Sequence, residues 1–124
     1  MTASDNPVEL FDLRIAHIGI NTDTPAAADE TAGRFEALMG LPVNHIASVS
    51  TFAGTLVEVM NNGGRGEKGH IGFHVNDLAA AERWFSARGF EINESSRTNL
   101  PGGHQLVYFV EPIAGFAIHL TDAD

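Results

Sequence analysis

The chain has no cysteine in its 124 residues, and that absence removes disulfides, thiolate nucleophiles and thiolate metal ligands together. It is also short of positive charge, with seven Lys and Arg against sixteen Asp and Glu and a formal charge of −9. The basic residues (Arg14, Arg34, Arg65, Lys68, Arg83, Arg88, Arg97) are scattered, so the contiguous basic footprint that nucleic acid requires is missing. Long apolar runs are missing as well. No window approaches the roughly 20 apolar residues needed to cross a bilayer, which excludes a membrane partner of that kind. Residues 1–13 are acidic, with neither a basic flank nor an apolar centre, so a cytoplasmic location without a targeting signal is expected. Tyr and Trp occur once each. Whatever chemistry exists must rest on His, carboxylates, Tyr108 or the backbone.

What remains is the composition of an ordinary globular protein, 44% hydrophobic and 19% charged, about one domain in length. A chain of this size folds without a structural metal, so any metal here is expected to be functional.

The stretch Gly69-His70-Ile71-Gly72-Phe73-His74-Val75 restates Ala16-His17-Ile18-Gly19-Ile20-Asn21-Thr22, and the segments downstream of the two copies are also alike. Residues 1–12 have no apolar pattern and are expected to form a loose tail. Leu13 to Ile20 is β-rich and is broken by Asn21-Thr22-Asp23-Thr24-Pro25. Thr24 can cap a helix whose first position is Pro25 and whose spacing of Ala28, Ala32, Phe35, Leu38 and Met39 predicts one buried face, with Gly40 ending it. Strands are expected near Val43–Ala47, Val49–Phe52 and Thr55–Met60, the last pointing Glu58 away from Val57 and Val59.

Residues 61–68 form a glycine-rich connection. The second copy then repeats the order, with a strand at His70–Val75, a cap at Asn76 or Asp77 and a helix over Leu78–Arg88 ended by Gly89. Three more strands complete it, at Phe90–Arg97, Gln105–Val110 and Phe116–Thr121. The expectation is a single domain over 13–124, with module one at 13–60, a linker at 61–68 and module two at 69–121. Each module is β-α-β-β-β.

Aligning the copies makes His17 equivalent to His70, and Glu58 equivalent to His119. If a pseudo-two-fold axis relates the modules, these four side chains converge. Three imidazoles and one carboxylate suit a divalent transition metal such as Zn, Ni, Mn, Co or Fe, whereas Ca and Mg want more oxygens. A lone strand histidine is ordinarily a hydrogen-bonded core residue. Four metal-competent side chains at matched positions are harder to explain by packing, which Val or Ile would serve at lower desolvation cost.

With His17-Ile18-Gly19-Ile20 and His70-Ile71-Gly72-Phe73 opening the modules and Glu58 and His119 near their ends, residues 13–121 resemble the vicinal oxygen chelate superfamily. That superfamily includes glyoxalase I, extradiol dioxygenases, methylmalonyl-CoA epimerase, fosfomycin resistance enzymes and bleomycin-binding proteins. The resemblance implies an α+β fold in which two β-α-β-β-β modules form a curved eight-stranded mixed sheet around a cleft, with metal ligands His17, Glu58, His70 and His119. Phe52-Ala53-Gly54, Val57-Glu58-Val59-Met60, Gly69-His70-Ile71 and Gly115-Phe116-Ala117-Ile118-His119-Leu120 are also similar to a small module found with some keto-deoxy sugar-acid aldolases. One departure stands out. Most enzymes of the superfamily carry an acid near the end of the second module, where this chain has His119.

The function this implies is that of a metal-dependent lyase or isomerase acting on a small, oxygenated, anionic metabolite: a hydroxy-ketone, α-keto acid or enediolate. The alternatives are a non-haem Fe(II) dioxygenase, a metal-free ligand-sequestering protein of the bleomycin-resistance type, and a sugar-acid-binding accessory module of an aldolase. Candidate bases are Glu58 and His74, the latter on the same strand face as His70; a hydrogen-bonded structural role is the alternative for His74. Tyr108 can donate a hydrogen bond to a ligand, and Arg65 and Lys68 can close over an anion. Phe52, Phe73, Phe109 and Phe116 either wall the cleft or fill the core. A homodimer is expected, because an exposed edge at the first or eighth strand would need cover.

Overall fold

A computed structural model describes residues 5–123. Eight strands form one mixed sheet: β1 (Arg14–Asn21), β2 (Val43–Asn44), β3 (Ser50–Ala53), β4 (Val57–Met60), β5 (Gly69–His74), β6 (Ile92–Asn99), β7 (Gln105–Phe109) and β8 (Phe116–Thr121). Their order across the sheet is β2-β3-β4-β1-β5-β8-β7-β6. In each half the first strand pairs in parallel with the last, β1 with β4 and β5 with β8. The halves join where β1 and β5 run antiparallel at the centre. The fold is α+β, with two β-α-β-β-β modules in one eight-stranded sheet, the glyoxalase-like architecture that the resemblance implies.

The first and eighth strands are therefore interior. The edges are β2 and β6, and the case for a dimer from exposed first or eighth strands fails because β1 and β8 are each paired on both sides.

Helix α2 (Pro25–Met39) begins where the Thr24 side chain accepts from Ala27 N–H and ends at Gly40, whose positive φ of 75° suits a residue without Cβ. Helix α3 (Leu78–Ala87) is capped by Asp77, which accepts from Ala80 N–H. Both helices cover one face of the sheet. Beneath α2, Ala28 and Ala32 pack on Ala53, Val57 and Val59. Beneath α3, Leu78 and Ala81 pack on Val75, Val107 and Leu120, with Trp84, Phe85 and Phe109 around them.

A five-residue helix, α1 (Pro7–Phe11), replaces most of the expected tail; residues 1–4 of that expectation lie outside the described residues. Phe11 is the cause. It is buried in the α3 core, edge-on to Trp84 at 6.2 Å, and its carbonyl accepts from Asn76 N–H. The second strand is also shorter than expected, ending at Asn44 rather than Ala47, because only Val43 and Asn44 find partners on β3. The other elements lie within a few residues of the expected bounds.

Candidate metal centre

The face of the sheet away from the helices lines a cleft of about 900 Å³. Strand alternation decides which residues reach it. On β4, Val57 and Val59 turn to α2 and Glu58 turns to the cleft; on β8, Leu120 turns to the α3 core and His119 to the cleft.

The four expected ligands meet there, all from one chain. His17 Nε2 lies 3.0 Å from His70 Nε2 and 3.4 Å from His119 Nε2. Glu58 Oε1 lies 3.2 Å from His70 Nε2 and 3.6 Å from His17 Nε2. The other carboxylate oxygen, Oε2, accepts from Ser50 Oγ at 2.7 Å, which fixes the rotation of the group. His70 and His119 are buried, and His70 Nδ1 has no hydrogen-bond partner among the described residues.

The register shows why the motif is His-Ile-Gly. Across β1 and β5, His17 stands opposite Gly72, and Gly19 opposite His70. Gly19 also neighbours Glu58, and Gly72 neighbours His119. A Cβ on Gly72 would fall 2.5 Å from His119 Cε1 and Nε2 and 3.0 Å from His17 Cε1. A Cβ on Gly19 would overlap the His70 ring. Gly19 makes room for the other copy's His70, and Gly72 for His119 of its own copy and His17 of the other. The repeat alone does not disclose this role, although its signal is a glycine placed two residues after each histidine.

Electrostatics favour the neutral imidazole at His119 and His17. Burial, and then the His17 and His70 charges, lower the His119 pKa from 6.5 to about 3. Burial and the neighbouring His70 also lower that of His17, against the pull of Glu58. For Glu58, burial alone would raise the pKa. Hydrogen bonds from His70 and Ser50 and the attraction of both histidines outweigh it, so the carboxyl lies below its usual value and is ionised at neutral pH.

These donors fit a transition metal. Ligands bound to one ion at about 2.0–2.1 Å stand roughly 3.0–3.5 Å from one another. The four separations above lie close to that range, and the three imidazoles each offer a nitrogen within 4.8 Å of the other two, with Glu58 beside His17 and His70. Lone pairs aimed at a common point repel unless a proton or a cation lies between them.

The other expected residues fall differently. His74 stays on β5, but its Nδ1 bonds the Ala123 carbonyl at 2.9 Å, and it does not line the cleft. Four residues along a strand from His70 is about 13 Å. Tyr108 does line the cleft, its ring 5.0 Å from that of His119. Burial raises its pKa to about 12, with Arg65 opposing the shift and Glu58 adding to it, so the phenol keeps its proton. Arg65 lies over the Tyr108 ring with Cζ 4.7 Å from the centroid, whereas the Lys68 side chain runs beside Gly115 outside the cleft. Of the four phenylalanines, Phe52 walls the cleft, while Phe73 and Phe109 pack against the α3 core. The remaining histidines are tied to acids, His45 to Asp29 at 2.9 Å and His104 to Asp122 at 3.4 Å.

No protein-family profile matches the chain, and no curated protein does. Solved structures do match in fold. A variant of Streptomyces coelicolor methylmalonyl-CoA epimerase, in complex with 2-nitronate-propionyl-CoA, superposes with a TM-score of 0.62 at 18% identity, covering 87% of this chain and 95% of that one. Methylmalonyl-CoA epimerase from Mycobacterium tuberculosis gives a TM-score of 0.63 at 15% identity, covering 86% and 85%. A hypothetical protein from Bacillus halodurans C-125 gives 0.62 at 12%, covering 90% and 95%. The chain thus has the fold of these epimerases. No described helix is long and apolar enough to cross a membrane.

Proposed function

We propose that His17, Glu58, His70 and His119 hold one divalent transition metal, and that the protein is a metal-dependent isomerase or lyase of a small, anionic, oxygenated metabolite. The observation that supports this is the convergence of three imidazole nitrogens and a carboxylate oxygen, from four strands, in one cleft. Three neutral nitrogens and one carboxylate suit Zn, Ni, Mn, Co or Fe. When bound, such an ion polarises adjacent oxygens of a hydroxy-ketone or α-keto acid and stabilises negative charge developing on them.

The chain's own residues supply the proton chemistry. Glu58 is ionised, and Ser50 holds its Oε2, so Oε1 is the ligand atom and, only when released from that role, the atom that would take a proton from a substrate carbon and return it. The Tyr108 phenol, neutral at physiological pH, donates a hydrogen bond toward substrate oxygen. Arg65 attracts the anion to the cleft mouth. Epimerases of this fold, one solved with methylmalonyl-CoA and NH4+, favour isomerisation over lysis.

The test is elemental analysis of tag-free protein, wild type beside His17→Ala and Glu58→Ala. About one transition metal per chain, lost in both variants, is expected. A wild type that stays metal-free after incubation with Zn, Mn, Ni and Fe(II) overturns the reading. Deuterium uptake from solvent into hydroxy-ketones and keto acids, lost in Glu58→Gln protein shown to carry as much metal as wild type, identifies the base.

A further inference from the structure

The walls of the cleft are chemically unlike. Phe52 stands opposite Glu58 on the sheet as Tyr108 stands opposite His119, so the two aromatic residues are equivalent by the repeat. Around Phe52 the wall is apolar, with Val49, Met60 and Ile46, the last 81% exposed at the lip. Around Tyr108 the wall ends in a charge. Arg65 is the one Lys or Arg lining the cleft, and in a chain of net charge −9 no carboxylate among the described residues pairs with it. Other arginines are engaged: Arg97 by Glu82 and Glu94, and Arg88 by Trp84.

Most remaining polar side chains in the cleft turn their donors to the backbone. Asn61 Nδ2 bonds Ser48 O, Thr98 Oγ1 bonds Ser96 O and Thr121 Oγ1 bonds Gln105 O. The inner polar contacts left for a ligand are the four-residue cluster and the Tyr108 hydroxyl, with Arg65, Thr55 and Asn62 exposed at the rim and Arg65 the one charge among those three.

We infer that the ligand is an amphiphilic monocarboxylate, with an aryl or branched-alkyl body on Phe52, Val49 and Ile46, a carboxylate on Arg65 and its chelating oxygens at the cluster. A polyhydroxylated sugar acid does not fit. Each hydroxyl pressed against the apolar wall gives up water without gaining a partner. One guanidinium balances one negative charge, and ionised Glu58 in the same cleft opposes a second. The inference rests on the metal reading for the chelated end, and on the walls alone for the rest.

The test is calorimetric titration of zinc-loaded protein with benzohydroxamate, its 3- and 4-carboxy derivatives and gluconohydroxamate, with zinc content measured in the same samples. Benzohydroxamate should bind about tenfold tighter than gluconohydroxamate, and one carboxy isomer should gain about another tenfold. Arg65→Gln should remove only the carboxylate's increment. Ile46→Asn should weaken the aryl probes about threefold and leave the sugar probe unchanged. Both substituted residues are exposed, and retained zinc certifies the folded site. Sugar-probe binding equal to or tighter than benzohydroxamate, no gain from either carboxylate, or a uniform loss in Arg65→Gln overturns the inference while the metal reading stands. Protein that retains no zinc or other metal overturns both.

Discussion

The two halves of the sheet share one topology, strand for strand, and differ in what they carry at matched points. One row across the sheet runs Phe52, Glu58, Gly19, His70; the other runs Tyr108, His119, Gly72, His17. The rows are the same sentence with two words changed, a carboxylate for an imidazole and a phenyl for a phenol. The backbone supplies the geometry twice, and the two substitutions give the cleft a direction, one side acidic and apolar, the other basic and hydrogen-bonding. The cores differ in the same way. The α2 half is packed with alanine and valine, and the α3 half with leucine and aromatic rings.

That contrast can be tested by variants placed in pairs. The largest effect should come from the cores: Leu120→Ala is expected to cost about 2–5 kcal/mol. Val59→Ala in the other half is expected to cost nearer ~2 kcal/mol. Urea midpoints at unchanged slope are the measurement, and equal losses would contradict the asymmetry. At the seam, Gly72→Ala should lower metal affinity about 100-fold by crowding His119 and His17, measured against a competing chelator. Gly33→Ala, on the surface of α2 with open space around it, should change nothing at the site.

The third effect is one of acidity. His119 binds its proton only near pH 3 in the fold but near 6.5 when unfolded, so between those values the unfolded chain holds more protons and stability rises with pH. Metal-free protein should therefore lose on the order of 3 kcal/mol as pH falls from about 6.5 toward about 4. Glu58, whose pKa is depressed, adds to the loss below its usual range. His119→Gln should flatten the slope. The smallest effect is the one that should be the same in both halves: Thr24→Ala and Asp77→Ala remove matched helix caps and should each cost about 1 kcal/mol.

Much of this is legible in the chain. Thr24 and Gly40 mark helix ends because capping is local chemistry, read over a few residues, whereas Asn76 and Asp77 are equally good caps in sequence and only the fold selects Asp77. Glu58 and His119 stand out because the repeat aligns them. Phe11 is not recognisable as core, since a five-residue helix has no periodicity to betray a buried face. His74 shares a strand face with His70, yet parity says nothing of the distance along the strand that separates it from the cleft. Arg65 stands out as a cation in a glycine-rich connection, but Lys68 stands out equally, and only the packing of Lys68 beside Gly115 separates them.

The sequence by itself determined which residues are equivalent, because a duplicated module carries its alignment in the order of its residues. Which residues stand opposite one another was decided only by the tertiary structure. The antiparallel pairing of β1 with β5 sets each histidine against the other copy's glycine, and a slip of one residue would have turned every one of these side chains to the wrong face.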